Sequence, residues 1–327
     1  MRRWVVTAGA LQLALAALAA FPALADKFYL QRFSTIMIMA IFAMSLNLLV
    51  GCTGLVSLGH AAFFGLGAYT LLVMSPEYQA ASLFLSLPAA VAVAGAAALA
   101  IGLLVLRSSG VYFIMATLAF TQMFFYYVTG SKALGGSDGA YIYVKPDASL
   151  FGMTPFRLAD NLHFYYLVLG LMLATLLLLY VIMRAPFGQV LYGIRANEHR
   201  MRSLGYDTFR YKLASFVIAG ALAGMAGYLN AAQFGSVNPD LFGWRQSGIV
   251  LMMVILGGMG TLYGPILGAF ALVLLQDVLA EATKHWLLPM GLFIILAVLV
   301  LPDGLSGIGA QLGGLRRRFA RRGSEIA

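Results

Sequence analysis

The chain has 327 residues, of which 61% are hydrophobic and only 10% charged, and 21 basic against 12 acidic side chains leave a net charge of +9. A soluble domain carries roughly 25% charged residues, so this chain lacks the charge to cover a surface in water and suits an apolar solvent instead. Its basic residues sit between apolar runs and in the C-terminal tail, which argues against nucleic acid as a partner, and the single Cys52 excludes an internal disulfide.

A membrane-spanning helix needs about 20 mainly apolar residues. Such runs lie near 4–25, 33–51, 55–74, 83–106, 111–129, 162–183, 211–234, 245–260, 264–283 and 287–301. They predict an all-α, polytopic helical bundle of about ten spans. The second, third and eighth runs are short or interrupted by glycine. The first run has two readings. Arg2, Arg3 and Ala23-Leu24-Ala25 before Asp26 look like a cleavable signal peptide, but the apolar stretch from Trp4 to Phe21 exceeds the usual core of about 7–15 residues, which favours a retained span.

An even number of spans places both termini on one side. With both inside, fourteen basic residues are cytoplasmic, namely Arg2, Arg3, Arg107, Arg184, Arg195, Arg200, Arg202, Arg210, Lys212, Arg316, Arg317, Arg318, Arg321 and Arg322. Seven remain outside: Lys27, Arg32, Lys132, Lys145, Arg157, Arg245 and Lys284. The positive-inside bias therefore predicts cytoplasmic termini in a multi-pass protein of the cell (inner) membrane. Residues 1–310 form one transmembrane domain in this reading. It contains an outer loop at 130–161 and a cytoplasmic loop at 184–210, and a basic tail at 311–327, expected to be disordered, follows.

The 184–210 loop has structure of its own. Arg184-Ala185-Pro186-Phe187-Gly188 ends the sixth span, because proline removes a backbone donor and glycine permits a sharp turn. Gln189 to Ser203 is polar and compatible with a helix, and Gly205 stops it as a left-handed cap would. Leu191, Ile194 and Leu204 are expected to face the spans, and Arg195, Asn197, Glu198 and Arg202 the cytoplasm.

Small residues four apart let helix backbones approach closely in lipid, as Gly260, Gly264 and Gly268 do in the late spans and Gly220, Gly224 and Gly227 in the seventh. Polar groups inside the membrane are costly and face the bundle interior or water. The candidates for a translocation path are Asn47, Ser57, His60, Thr117, Gln122, Asn230, Gln233, Gln276, Asp277 and Glu281. For His60, a hydrogen bond to a neighbouring backbone group that locks the broken helix is favoured over contact with a solute. Glu281 reads as a solvated helix end, Asp277 as a possible partner across helices.

No phosphate loop of the Gly-x-x-x-x-Gly-Lys-Ser/Thr type occurs, so the chain does not hydrolyse ATP by itself, and no His-Glu-x-x-His metal pattern occurs either. Ser57 and His60 could act as nucleophile and base, but no third group orients them. A carrier driven by an ion gradient is a second rival, although the centres of the spans are almost free of acids.

Several blocks together resemble the branched-chain amino acid permeases of the LivM type. These are Ser57-Leu58-Gly59-His60 with Phe64-Gly65-Leu66-Gly67-Ala68-Tyr69, the outer-loop Gly135-Gly136-Ser137-Asp138-Gly139, Ile194-Arg195-Ala196-Asn197-Glu198, Gly257-Gly258-Met259-Gly260-Thr261 with Gly264 and Gly268-Ala269, and Leu301-Pro302-Asp303-Gly304-Leu305. They run in family order over most of the chain. The resemblance implies a permease subunit of an ATP-driven importer and no catalytic residues. It implies no bound cofactor or metal on this chain, with ATP and Mg held by two cytoplasmic ATPase subunits. It also implies a second, LivH-like permease subunit and an extracytoplasmic solute-binding protein. Residues 184–210 become the coupling loop, with Gly188, Arg195, Asn197, Glu198 and Gly205 at the ATPase contact, made more electrostatic by Arg200 and Arg202. Substrates would be branched-chain or related amino acids. Relatives that carry urea, amides or aromatic acids keep other solutes open, and Asn238-Pro239-Asp240-Leu241-Phe242-Gly243-Trp244 departs from the best-known amino acid permeases.

Overall fold

The computed structural model describes residues 21–23, 26–75, 80–147, 160–301 and 304–307. The expected first span lies outside them apart from a short turn at Phe21–Ala23, and so does the tail at 311–327.

The described residues form ten helices. In chain order they are α1 (Lys27–Asn47), α2 (His60–Met74), α3 (Leu83–Val105), α4 (Val111–Gly130), α5 (Asn161–Arg184), α6 (Pro186–Ser203), α7 (Thr208–Phe234), α8 (Trp244–Gly257), α9 (Gly264–Ala282) and α10 (Leu287–Val300). A π-helical stretch, Leu48–Thr53, continues α1 without interruption. Two two-residue strands, β1 (Ala140–Tyr141) and β2 (Ser236–Val237), pair antiparallel and tie the loop after α4 to the chain leaving α7.

Seven segments are long and apolar enough to cross a membrane: Lys27–Thr53, Leu83–Val105, Val111–Gly130, Asn161–Arg184, Thr208–Phe234, Gly264–Ala282 and Leu287–Gly307. The apolar helices α2 and α8 have 15 and 14 residues, so each reaches only about 22 Å at 1.5 Å per residue against a hydrocarbon core of about 30 Å. Irregular backbone makes up the difference. The third run, expected from residue 55, becomes helical only at His60, because Gly54 turns the chain at φ 80°. The eighth, expected to reach residue 260, stops at Gly257, where Gly258 and Gly260 adopt φ 113° and 81°. Gly260 therefore stands in a break, outside the helical ladder expected for it. These two breaks, 54–59 and 258–263, are the fold's main departures from plain helix.

Burial sorts the helices. The most apolar part of α1 is 89% buried, that of the last segment only 12%. Large apolar side chains on the outer helices, such as Leu177, Leu288 and Leu299, are exposed, as suits a surface solvated by lipid. Close packing at the centre depends on small residues. A Cβ at Gly220 would stand 2.5 Å from that of Ala98 on α3, and one at Gly67 would overlap the Gly224 backbone of α7. On α9, Gly268 meets the Met253 backbone of α8, and the neighbouring Gly264 backbone leaves no space for a side chain at Gly257.

Candidate functional site

α6 is a surface helix set between the end of α5 and the start of α7. Pro186 sits in its first turn, where a missing N–H costs nothing. A side chain at Gly188 would come within 2.7 Å of the Ile182 carbonyl oxygen, so the tight passage from α5 requires glycine. Gly205 takes φ 89° and closes the helix. Its N–H donates to the Arg202 carbonyl at 2.9 Å and that of Tyr206 to the Met201 carbonyl at 3.2 Å, the paired bonds of a Schellman cap. Val190, Leu191 and Ile194 are buried against the bundle. Leu204, expected to join them, is instead 66% exposed, because the cap carries it past the last turn and away from the spans.

The helix is not continuous. Asn197 is extended at φ −163°, and its Oδ1 accepts from Arg200 N–H at 2.9 Å. Asn197 thus caps a short second segment running to Ser203. Glu198, at its start, turns back onto the bundle. Its Oε2 pairs with Lys212 Nζ of α7, and its Oε1 accepts from Arg202 Nη2 at 2.6 Å and Thr208 Oγ1 at 3.1 Å. Partial burial pushes the Glu198 pKa up, but the Lys212 hydrogen bond and charge, aided by Arg202 and Thr208, outweigh it and hold the carboxyl below its ordinary value. Arg195 also points inward, and its Nη1 donates to the Gly51 carbonyl. Glu198, expected on the outer contact face, is engaged within the chain, whereas Arg195 stays exposed there while its guanidinium reaches inward to Gly51. The exposed face carries Tyr192, Arg195, Asn197, His199, Arg200, Arg202 and Leu204.

The breaks are held by buried polar side chains. Asn47 accepts from Gly260 N–H at 3.0 Å and donates to the Thr261 carbonyl at 2.9 Å, so it fastens the second break to α1. Ser57 accepts from Gly59 N–H at 3.2 Å, and Ser247 of α8 accepts from Ala61 N–H at 2.9 Å. Both satisfy donors that the opening turn of α2 leaves free. His60 is fully buried, stacked on Phe42, with Nε2 2.8 Å from Ser45 Oγ. Ser45 already gives its one proton to the Phe42 carbonyl at 2.7 Å, so His60 Nε2–H is the donor between them. This is a lock between α1 and α2, made to a side chain where a backbone group was expected.

A second polar cluster lies at the opposite end of α1 and α7. Gln233 donates to the Gln31 carbonyl at 2.7 Å and to Thr35 Oγ1 at 2.8 Å. Its Oε1 is buried and has no partner among the described residues. It lines a cavity of about 50 Å³ with Gln31, Ser34, Lys145, Asn161 and Phe164. Lys145 lies 6.0 Å from the Phe164 ring centroid, and burial lowers its pKa. Asp277 of α9 pairs with Arg32 of α1 at 3.2 Å. Asn230 is buried one turn from Gln233, whereas Gln122 is half-buried on α4 and Glu281 exposed. The expected path residues are therefore not one constellation. Asn47, Ser57 and His60 gather at the breaks, and Asn230, Gln233 and Asp277 near the far end.

Ser45, Lys212, Ser247 and Gly51 were missed by sequence reasoning. Ser45 and Ser247 are ordinary small polar residues in apolar helices, with no signal beyond their type. Lys212 could have been found as a basic residue inside the apolar start of a span, a costly placement without a partner.

No group of three or more His, Cys, Asp or Glu gathers among the described residues in a way that could hold a metal ion. The chain is 33% identical over 290 residues to the high-affinity branched-chain amino acid transport system permease protein LivM of Escherichia coli (strain K12), covering 82% of this chain and 68% of that protein. It is 32% identical to the Salmonella typhimurium protein of the same name over the same shares. It is 30% identical to the autoinducer 2 import system permease protein LsrC of Photorhabdus laumondii, over 46% of this chain and 47% of that protein. No solved structure matches it. Residues 28–301, from the second residue of α1 to the residue after α10, match the family described as the permease component of the branched-chain amino acid transport system, and the chain belongs to that family.

Proposed function

We propose that this chain is the membrane-spanning subunit of an ATP-driven importer and that it moves branched-chain or related amino acids. The observation that supports this most is α6. It is a surface helix of 18 residues with a break at Asn197, seated on the bundle by Val190, Leu191 and Ile194 and closed by a capping turn at Gly205, with its other face uncovered. A helix fixed to the spans on one side and open on the other is a handle that a cytoplasmic ATPase can grip. In this reading α6 and both termini are cytoplasmic, and the span near 4–25 brings the count to ten. Two ATPase subunits hold ATP and Mg, a second LivH-like permease lines the path with this one, and a solute-binding protein delivers solute to the side of the 130–161 loop and the Gln233 cavity.

The substrate class follows the relatives named for branched-chain amino acid transport. A second reading, another small solute, is favoured by the relatives named for autoinducer 2 import. It keeps the same coupling and changes only the cargo. The test is leucine uptake by vesicles carrying the assembled transporter, with ATP trapped inside and the proton and sodium gradients collapsed. Continued uptake supports the reading, and uptake that stops points to an ion-driven carrier. Competition by isoleucine and valine, set against autoinducer 2, separates the two cargoes.

A further inference from the structure

The two breaks come from distant parts of the chain, yet one side chain of α6 reaches both. Arg195 Nη1 donates to the carbonyl of Gly51, in the π-helical stretch just before the first break. Its Cγ lies against Gly54, where an added Cβ would be 3.3 Å away. Its Nη1 also flanks Gly260 in the second break, where an added Cβ would be 2.8 Å from it and 2.9 Å from the Gly51 carbonyl oxygen. Gly51 and Gly260 touch directly, since a Cβ at Gly51 would stand 2.8 Å from Gly260 Cα. Asn47 closes the junction through its bonds to Gly260 and Thr261. A guanidinium bonded to a backbone carbonyl is a charge-assisted contact, about twice as strong as a neutral one. The carbonyl it holds lies in a π turn, a local irregularity of the kind that often marks a functional position in a helix.

We propose that Arg195 is a positioning residue that carries displacement of α6 to both breaks at once, so that the end of α1 and the α8–α9 junction move with the handle. The first segment of α6, before the break at Asn197, carries both the buried Leu191 and Ile194 and Arg195, so a displacement of that segment moves the guanidinium with it. Segments without regular helical hydrogen bonds are where a bundle bends at least cost, and the Arg195 side chain touches both, with Cγ at Gly54 and Nη1 at Gly260. The inference rests on the reading of α6 as the ATPase contact. It assigns that contact to Tyr192, His199, Arg200 and Leu204, and gives Arg195, exposed though it is, to the junction through its guanidinium.

The test uses the assembled transporter in vesicles with Arg195→Ala, Arg195→Lys and Gly260→Ala. Three quantities are read: ATPase retained on purification, solute moved per ATP hydrolysed, and thermal midpoint. Arg195→Ala is expected to retain the ATPase at the wild-type ratio and to lower solute per ATP about tenfold, as loss of one hydrogen bond to a charged group implies. Gly260→Ala, which lies outside α6 and crowds the guanidinium from the far side, is expected to do the same. Arg195→Lys, which can still donate to the Gly51 carbonyl, is expected to recover most of the loss. Loss of ATPase from the Arg195→Ala complex overturns the proposal, because it makes Arg195 a contact residue. Unchanged solute per ATP overturns it, and so does a loss that only tracks a falling thermal midpoint. If wild-type uptake needs no ATPase, the functional reading fails, and the latch is judged by hydrogen exchange at 258–263 in Arg195→Ala. Faster exchange supports it and unchanged exchange overturns it.

Discussion

Glu198 accepts from Lys212, and this pair ties the second segment of α6 to the first turns of α7. Lys212 is only 8% exposed, so its ammonium depends on the Glu198 carboxylate for compensation. Removing the carboxylate leaves the buried ammonium unpaired, at a cost of about 1–3 kcal/mol, and removing Lys212 leaves Glu198 with Arg202 and Thr208 alone. Glu198→Gln and Lys212→Ala are each expected to lower the thermal midpoint of the detergent-purified protein, and the double variant to lower it by less than the sum. Additive effects of the two changes would contradict the pairing.

The same pair sets a pH dependence. The folded pKa of Glu198 lies below its ordinary value of 4.5, so the contribution is present above that value and is lost as pH falls through the folded pKa. Thermal midpoints measured from pH 6 downward are expected to fall more steeply for wild type than for Glu198→Gln once the pH drops below about 4.5. Parallel curves would show that the carboxylate carries no such linkage.

Asn197 is expected to act locally. Its Oδ1 caps the segment that begins at Glu198, and loss of such a cap typically costs about 1 kcal/mol. Asn197→Ala should speed hydrogen exchange at residues 198–203 and leave α7 unchanged, while Asn197→Asp should keep the protection.

Ser45→Ala separates a structural role for His60 from a role in the path. It strands a buried imidazole N–H, at a cost of about 1–3 kcal/mol. Stability is expected to drop while the apparent affinity for solute stays the same. A changed affinity at unchanged stability would put His60 on the path instead.

Gly67→Ala tests the central crossing of α2 and α7. The added methyl would run into the Gly224 backbone, which has no flexible end to move aside. The expected cost is about 3 kcal/mol, the upper end of usual overpacking, read as lost expression or a lowered midpoint.

The features legible in the sequence were those set by local chemistry. Apolar runs located the spanning helices, Pro186 and Gly205 bounded α6, and Leu191 and Ile194 marked its buried face. Side-chain direction was not legible. Glu198 read as outward-facing because charged residues on a surface helix normally are, and the partners of Glu198 and of the exposed Arg195, Lys212 and Gly51, are supplied by other elements. Gly260 matched a four-residue ladder by spacing alone. Spacing cannot separate a helical glycine from one at φ 81° in a break. Asn47 was recognisable as a polar residue in an apolar run, but its bonds reach residues 213 and 214 positions away. Such long-range pairings arise from packing, and no local pattern encodes them.

The sidedness of α6 is the central claim and can be measured directly. The native Cys52 is 4% exposed, so a His199→Cys variant carries one accessible thiol on the open face of the helix. The account predicts that this thiol is shielded from a membrane-impermeant reagent in intact cells, reacts in inside-out vesicles, and cross-links to the ATPase subunit in the assembled transporter. Labelling of Cys at position 199 from outside intact cells would contradict it.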